Sequence, residues 1–260
     1  MGKVASFFQK TLNFLVPSKK DPKFTSAIIV AGGSSSRMGD GVSKQMLDID
    51  GLPVIVHTLL AFENTPEISE IIIVAKADEI GKYKSFKSAY GITKLKKAVI
   101  GGDTRQRSVE KGFFAISDKS KYVAIHDGAR CLITPKEISK VCNTAYIYDA
   151  ATAAMRAIDT VKIATDNDFI EKTIDRNLVW HAQTPQIFKT ELYNSAVAIA
   201  QRDGIQVTDD CALVENISHP IKLVECSSNN IKITTPDDTS FAANVLCERK
   251  NAANDNDDWI

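Results

Sequence analysis

Arg37 and Lys44 follow a stretch of small residues, Ala31-Gly32-Gly33-Ser34-Ser35-Ser36, that continues directly from the apolar run ending at Val30. After a strand buried on both faces, small residues let backbone N–H groups approach a phosphate, and a guanidinium with an ammonium can meet the charge on a reacting phosphoryl group. The bare motif fits a nucleoside triphosphate site, and it fits equally an ordinary strand-to-helix turn with solvated basic residues. It is not a P-loop, since no Gly-Lys-Ser/Thr follows at the required spacing, and its glycines do not match G-x-G-x-x-G. Asp127 ends a second apolar run, 123–125. A carboxylate there suits a hard divalent cation, or the N-cap of the segment that follows. His126 has no second histidine at ligand spacing and reads as strand-end packing. Lys232, taken alone, reads as solvated surface.

Taken together, the motifs are more particular. Lys44-Gln45, Gly51-Leu52-Pro53-Val54, Gly101-Gly102-Asp103-Thr104-Arg105-Gln106-Arg107-Ser108-Val109, His126-Asp127-Gly128-Ala129-Arg130, Asp175-Arg176-Asn177, Trp180-His181-Ala182-Gln183-Thr184-Pro185-Gln186 and Asn230-Ile231-Lys232-Ile233-Thr234 occur in that order. From about residue 25 to 247 the chain resembles the 2-C-methyl-D-erythritol 4-phosphate cytidylyltransferases of the non-mevalonate isoprenoid route. The resemblance implies attack of a sugar-alcohol phosphate on the α-phosphorus of CTP, with pyrophosphate leaving. It implies that Arg37 and Lys44 grip the triphosphate, that Lys232 is a further catalytic lysine, and that Asp127 holds one Mg²⁺. Ala31, Gly32, Gly33 and Ser34, with Gly102, Asp103 and Ser108, would form the nucleotide pocket. Arg130 and Thr160 would meet the acceptor phosphate, with catalytic Arg176 and Thr184 supplied by the arm of a second subunit in a homodimer. Arginine suits that task because its planar fork engages phosphate oxygens bidentately. By itself, Arg176 reads as a surface ion pair with Asp175 or Glu171. Ser43 and Cys131 stand where the family usually has proline, so a more mobile first loop before CTP binds is expected, and Gly128, where the family often has alanine, predicts a looser Asp127 loop. Two other readings remain at this point: a ribitol-5-phosphate cytidylyltransferase of cell-wall synthesis, and a non-catalytic nucleotide-binding protein of the same fold.

The elements that must carry these groups follow from periodicity. Residues 27–30, 71–75, 97–100 and 122–126 read as strands, and 54–63, 106–116 and 135–149 as helices. Such alternation predicts an α/β, Rossmann-like, mostly parallel sheet flanked by helices, with ligands beyond the carboxyl ends of the strands, where the motifs fall. Residues 157–163 and 169–174 flank a polar turn and predict a protruding hairpin, the arm spanning about 155–186. Beyond it, 189–203 and 208–216 read as helices, 221–225 and 231–233 as strands, and 236–249 as a closing helix. Residues 1–22 form an amphipathic extension, 23–250 the transferase domain, and the polar 251–260 a disordered tail. The 260 residues balance 32 basic against 32 acidic side chains, so no overall field favours nucleic acid or a membrane. Five scattered cysteines without a C-x-x-C pair argue for reduced thiols in a cytoplasm, and no apolar run approaches the about 18 residues of a membrane span.

Overall fold

The first strand, β1 (Thr25–Val30), is buried along almost its whole length because it lies in the middle of a seven-stranded sheet. The computed structural model describes residues 23–33 and 43–257. The N-terminal extension 1–22, together with Ser34 and Arg37, lies outside the described residues. After β1 come a 3-10 turn at Lys44–Met46, the short pair β2 (Asp48–Ile49) and β3 (Leu52–Pro53), α1 (Val54–Glu63), β4 (Ile68–Ala75), α2 (Ile80–Ala89), β5 (Leu95–Ile100) and α3 (Arg105–Phe113). The second half holds β6 (Tyr122–Asp127), α4 (Pro135–Tyr148), β7 (Ala150–Arg156), the hairpin β8 (Lys162–Ala164) and β9 (Ile170–Thr173), β10 (Trp180–Lys189), α5 (Thr190–Asp203), α6 (Asp210–Glu215), β11 (Lys222–Glu225) and α7 (Pro236–Asp257).

The sheet runs β11-β7-β10-β6-β1-β4-β5. All neighbouring pairs are parallel except those made by β10, which runs antiparallel to both β6 and β7. Alternation along β1 divides the core: Ala27 and Ile29 face a cluster with α1, α2 and α4, while Ile28 faces α3, α5 and α6 on the other side. A third cluster, with Ile49, Cys131, Ile233 and Val245, lies beneath α7. Helix starts are capped as the sequence allows. The Thr134 hydroxyl accepts from the Glu137 N–H while the Glu137 carboxylate accepts from the Thr134 N–H, with Pro135 at the first turn.

Several boundaries depart from the sequence reading. Helix α2 was not anticipated, because its lysine-rich face buries only Tyr83. Strands β10 and β7 extend the sheet from β6 to the edge strand β11, and β10 carries the Trp180–Gln186 motif inward from the arm. Residues 231–233 are a loop: Ile233 is fully buried and its N–H donates to the Ala129 carbonyl at 2.8 Å, a single backbone link and no ladder. The closing helix continues through residues 251–257, where a disordered tail was expected. At Gly128 the N–H donates to the Val30 carbonyl at 2.9 Å and the carbonyl accepts from the Thr58 hydroxyl at 3.0 Å. A Cβ at Gly128 would come within 2.7 Å of Ile55 Cδ1, so the missing side chain permits close packing. Cys131 is buried in the third cluster, so apolar packing fixes the position where the family's proline would stand.

Candidate active site

The carboxyl ends of β1, β4, β5 and β6 surround a cleft of ≈ 390 Å³. Gly32 and Gly33 form one wall, Lys44 and Gln45 a second, and the turn 102–105 a third, with Asp127 and Lys232 at the base. This is the crevice that a doubly wound sheet leaves for a ligand. Lys44 is carried in by the 3-10 turn and is nearly buried, as is Gln45. The glycine turn after β5 is built to be tight: a Cβ on Gly102 would lie 2.5 Å from Arg107 Cβ. Ser108 holds it, its hydroxyl accepting from the Gly102 N–H at 3.0 Å and donating to the Thr104 carbonyl at 2.9 Å. Thr104 then caps α3 by accepting from the Arg107 N–H at 3.1 Å. The backbone edge at Gly102 and the exposed Asp103 thus face the cleft, and Ser108 works from behind them.

A charged cluster occupies the base. Lys232 Nζ lies 3.0 Å from Asp127 Oδ2, Arg105 Nε donates to Asp127 Oδ1 at 3.2 Å, and Arg130 Nε stands 3.8 Å from Asp127 Oδ2. Arg105 also donates through Nη1 to Asp210 Oδ2 at 2.8 Å. Burial by itself would push the Asp127 carboxyl up; Arg105, then Lys232 and Arg130, overcome this and hold it well below the usual carboxylate range. Burial opposes the charge on Arg105, but Asp210 and then Asp127 more than offset it. Arg130 is the weak member. Burial and the nearby Arg105 lower its pKa although Asp127 opposes them, and its Nε has no hydrogen-bond partner among the described residues.

Neutral groups brace this cluster from below. His126 is fully buried, with Nδ1 2.9 Å from the Thr184 hydroxyl and Nε2 3.2 Å from the Arg130 carbonyl, and burial pulls its pKa down to about 3. It is therefore neutral and structural, as its strand-end position suggested. Arg130 Nη1 donates to the Asn230 carbonyl at 2.8 Å, and the Asn230 amide donates to Gln183 and Thr184. That chain of bonds ties β6, β10 and the Lys232 loop together.

The expected site residues separate into three groups. Gly32, Gly33, Lys44, Gly102, Asp103, Ser108, Asp127 and Lys232 line one cleft, with Ala31 directly beneath and Arg130 behind Asp127. Thr160 and Arg176 sit on the exposed arm and line no part of that cleft. Arg176 donates to the Ile158 carbonyl at 3.0 Å, so the expected ion pair with Asp175 or Glu171 gives way to a backbone contact. Thr184 differs from the other two arm residues: it is buried and its hydroxyl accepts from the Asp127 N–H of its own chain at 3.1 Å. Arg105 and Asp210 are the groups that sequence reasoning missed. Arg105 stood inside a quoted motif, but only its place in the first turn of a capped helix points it back at Asp127. Among the described residues Asp127 is the carboxylate at the base. Among the described residues no three His, Cys, Asp or Glu side chains converge as a metal site, and Asp127 offers the hard oxygen donor that Mg²⁺ takes.

Residues 25–248 match the family model IspD, 2-C-methyl-D-erythritol 4-phosphate cytidylyltransferase. A protein of that description from Syntrophus aciditrophicus is 42% identical over 221 residues, covering 85% of this chain and 94% of the relative. A chloroplastic one from Oryza sativa subsp. japonica is 35% identical, covering 86% and 75%. The crystal structure of the 4-diphosphocytidyl-2C-methyl-D-erythritol synthase from Anaerococcus prevotii superposes with a TM-score of 0.78 at 32% identity, covering 87% of this chain and 97% of that one.

Proposed function

The chain belongs to the IspD family of 2-C-methyl-D-erythritol 4-phosphate cytidylyltransferases, and from that premise we propose how its residues carry out the transfer. The reaction joins CTP and 2-C-methyl-D-erythritol 4-phosphate to give CDP-methylerythritol and pyrophosphate. The match favours it over the ribitol-5-phosphate and non-catalytic readings. The supporting observation is the convergence of Lys44, Arg105, Asp127 and Lys232, from four distant parts of the chain, on one cleft. Two polyanions must meet there, and cations fixed in advance oppose their repulsion in the ground state and more strongly in the crowded transition state. Gly32, Gly33 and the Gly102-Asp103 edge bind the nucleotide, Lys44 and Arg37 its triphosphate. Lys232 meets the α-phosphate or the entering phosphate, and Arg130 the acceptor side.

Asp127 would hold the Mg²⁺, which when bound supplies charge neutralisation to the triphosphate oxygens. The arm supports a homodimer. Every residue of β8 and β9 is exposed, as are Ile158, Phe169 and Leu178, and an isolated hairpin is marginal in water. A second copy packed there would bring Thr160 and Arg176 to the acceptor. Five free cysteines, four of them buried, fit a reducing cytoplasm, and no helix among the described residues is long and apolar enough to cross a membrane.

Purified protein supplied with CTP, Mg²⁺ and each acceptor in turn tests the reading. Pyrophosphate should appear with methylerythritol phosphate and not with ribitol 5-phosphate, and Lys44→Ala and Lys232→Ala should each lower turnover by about 100-fold or more. A folded wild type that leaves CTP intact with every acceptor refutes it.

A further inference from the structure

We propose that Asp210 is a positioning residue for this transfer, holding Arg105 at the cleft wall from behind and keeping it from closing onto Asp127. The inference rests on the nucleotidyl-transfer reading and goes beyond it to a residue outside the cleft lining.

Asp210 is 2% exposed and is fixed at three points. Its Oδ2 accepts from Arg105 Nη1 at 2.8 Å, its Oδ1 accepts from the Tyr193 hydroxyl at 2.7 Å, and its N–H donates to Gln186 Oε1 at 2.9 Å. Gln186, itself buried in β10, also accepts from the Cys211 N–H at 3.1 Å and donates to Asp209 at 2.8 Å. The carboxylate therefore cannot follow Arg105 if the arginine moves. Arg105 must come to it.

Arg105 divides its fork between two carboxylates, and the contact to Asp127 is the longer, 3.2 Å against 2.8 Å. A guanidinium has five N–H groups, so two such bonds leave three for a ligand in the cleft. Without the charge on Asp210, Asp127 would be its remaining anionic partner among the described residues, and the favoured arrangement would be a two-pronged pair. That pair would occupy the carboxylate at the base of the cleft and draw the guanidinium off its wall. With Asp210 in place, the cluster sets two carboxylates against Arg105, Arg130 and Lys232. The excess positive charge faces the cleft, where phosphate enters.

A double-mutant cycle on kcat/KM for CTP, normalised to folded protein, separates this role from a structural one. Asp210→Asn should lower kcat/KM by about 10- to 100-fold, the range for losing a hydrogen bond to a charged group. In an Arg105→Gln background the same change should cost less than about threefold, because a residue acting through another has nothing left to act on. Should Asp210→Asn fail to fold, Tyr193→Phe reports the same coupling on a smaller scale, about threefold on the wild type and none on Arg105→Gln. Equal penalties in both backgrounds overturn the proposal while leaving the transferase reading intact. An inactive wild type removes the reading itself.

Discussion

Asp127→Asn tests the electrostatics of the site, because it removes the carboxylate that Arg105, Arg130 and Lys232 share and leaves those three cations in place. Breaking a buried ion cluster by deleting one partner costs about 3–5 kcal/mol when the remaining charge has no other counter-ion. Here the three cations fare differently. Arg105 keeps Asp210 at 2.8 Å, and the Lys232 side chain, 38% exposed, can return its charge to water. Arg130 is the one stranded, 15% exposed in its side chain and left with a neutral carbonyl. Arg130 keeps some access to water and stood 3.8 Å from the lost carboxylate, which places the expected loss at the low end of that range or just below it, about 2–3 kcal/mol. For a domain of this size that is about 4–12 °C in Tm. The surplus charge has a second effect: inorganic pyrophosphate should bind the variant more tightly than the wild type, and at 100 times its Kd restore about 2.7 kcal/mol. Turnover should nonetheless fall by about 100-fold or more. Asp127 is held below its unfolded value of about 3.9, so its contribution is complete above that pH and fades as pH falls through and below it; the variant's stability curve should be flatter there. Thermal melts with and without pyrophosphate, with a pyrophosphate-release assay, read all of this. A variant that melts within about 1 °C of the wild type, with unchanged pyrophosphate affinity, refutes the picture of Asp127 as shared counter-ion.

His126 should make the fold sensitive to mild acid. Between its folded value of about 3 and its unfolded value of about 6.5, the unfolded chain takes up a proton that the folded chain does not, so stability falls as pH falls through that window, by up to about 1.4 kcal/mol per unit. Urea titrations at several pH values should show one proton's less slope in His126→Gln, and an unchanged slope would count against a neutral buried imidazole. Gly102→Ala forces a Cβ to within 2.5 Å of Arg107 Cβ, so the turn must shift, with about 1–3 kcal/mol of stability lost and a raised KM for CTP. Gly33→Ala meets no atom of the described residues within 4 Å and should leave stability unchanged, a control that fails if the two variants melt alike. Ile170→Glu, at a position 67% exposed in the arm, should leave the monomer's stability within about 0.5 kcal/mol but abolish the dimer; a sedimentation profile identical to wild type would exclude this arm as the interface.

Much of the site was legible in the chain because its groups lie at strand ends, where an apolar run stops and a glycine or carboxylate begins. Asp127 after Ala124 and Ile125, and Gly101-Gly102 after Val99 and Ile100, are local signals of this kind. The hairpin was legible for a similar reason, two β-prone runs around a polar turn. The motif residues also gave the family, which the matches then bore out.

What the sequence by itself determined was the alternation of buried strand and amphipathic helix, the end of the sheet at which ligands gather, and the residue types waiting there, since each depends on neighbours a few positions apart. What only the tertiary structure decided were relations between distant segments. These include β10 entering the sheet against the direction of its neighbours, and residues 231–233 pinned to Ala129 as a loop. They include Thr184 turned inward under Asp127 of its own chain, and Arg105 shared between Asp127 and an aspartate 105 residues away. Periodicity reports which face of an element is buried but not which element covers it. The direction of a buried charge is set by the counter-ion that packing brings to it.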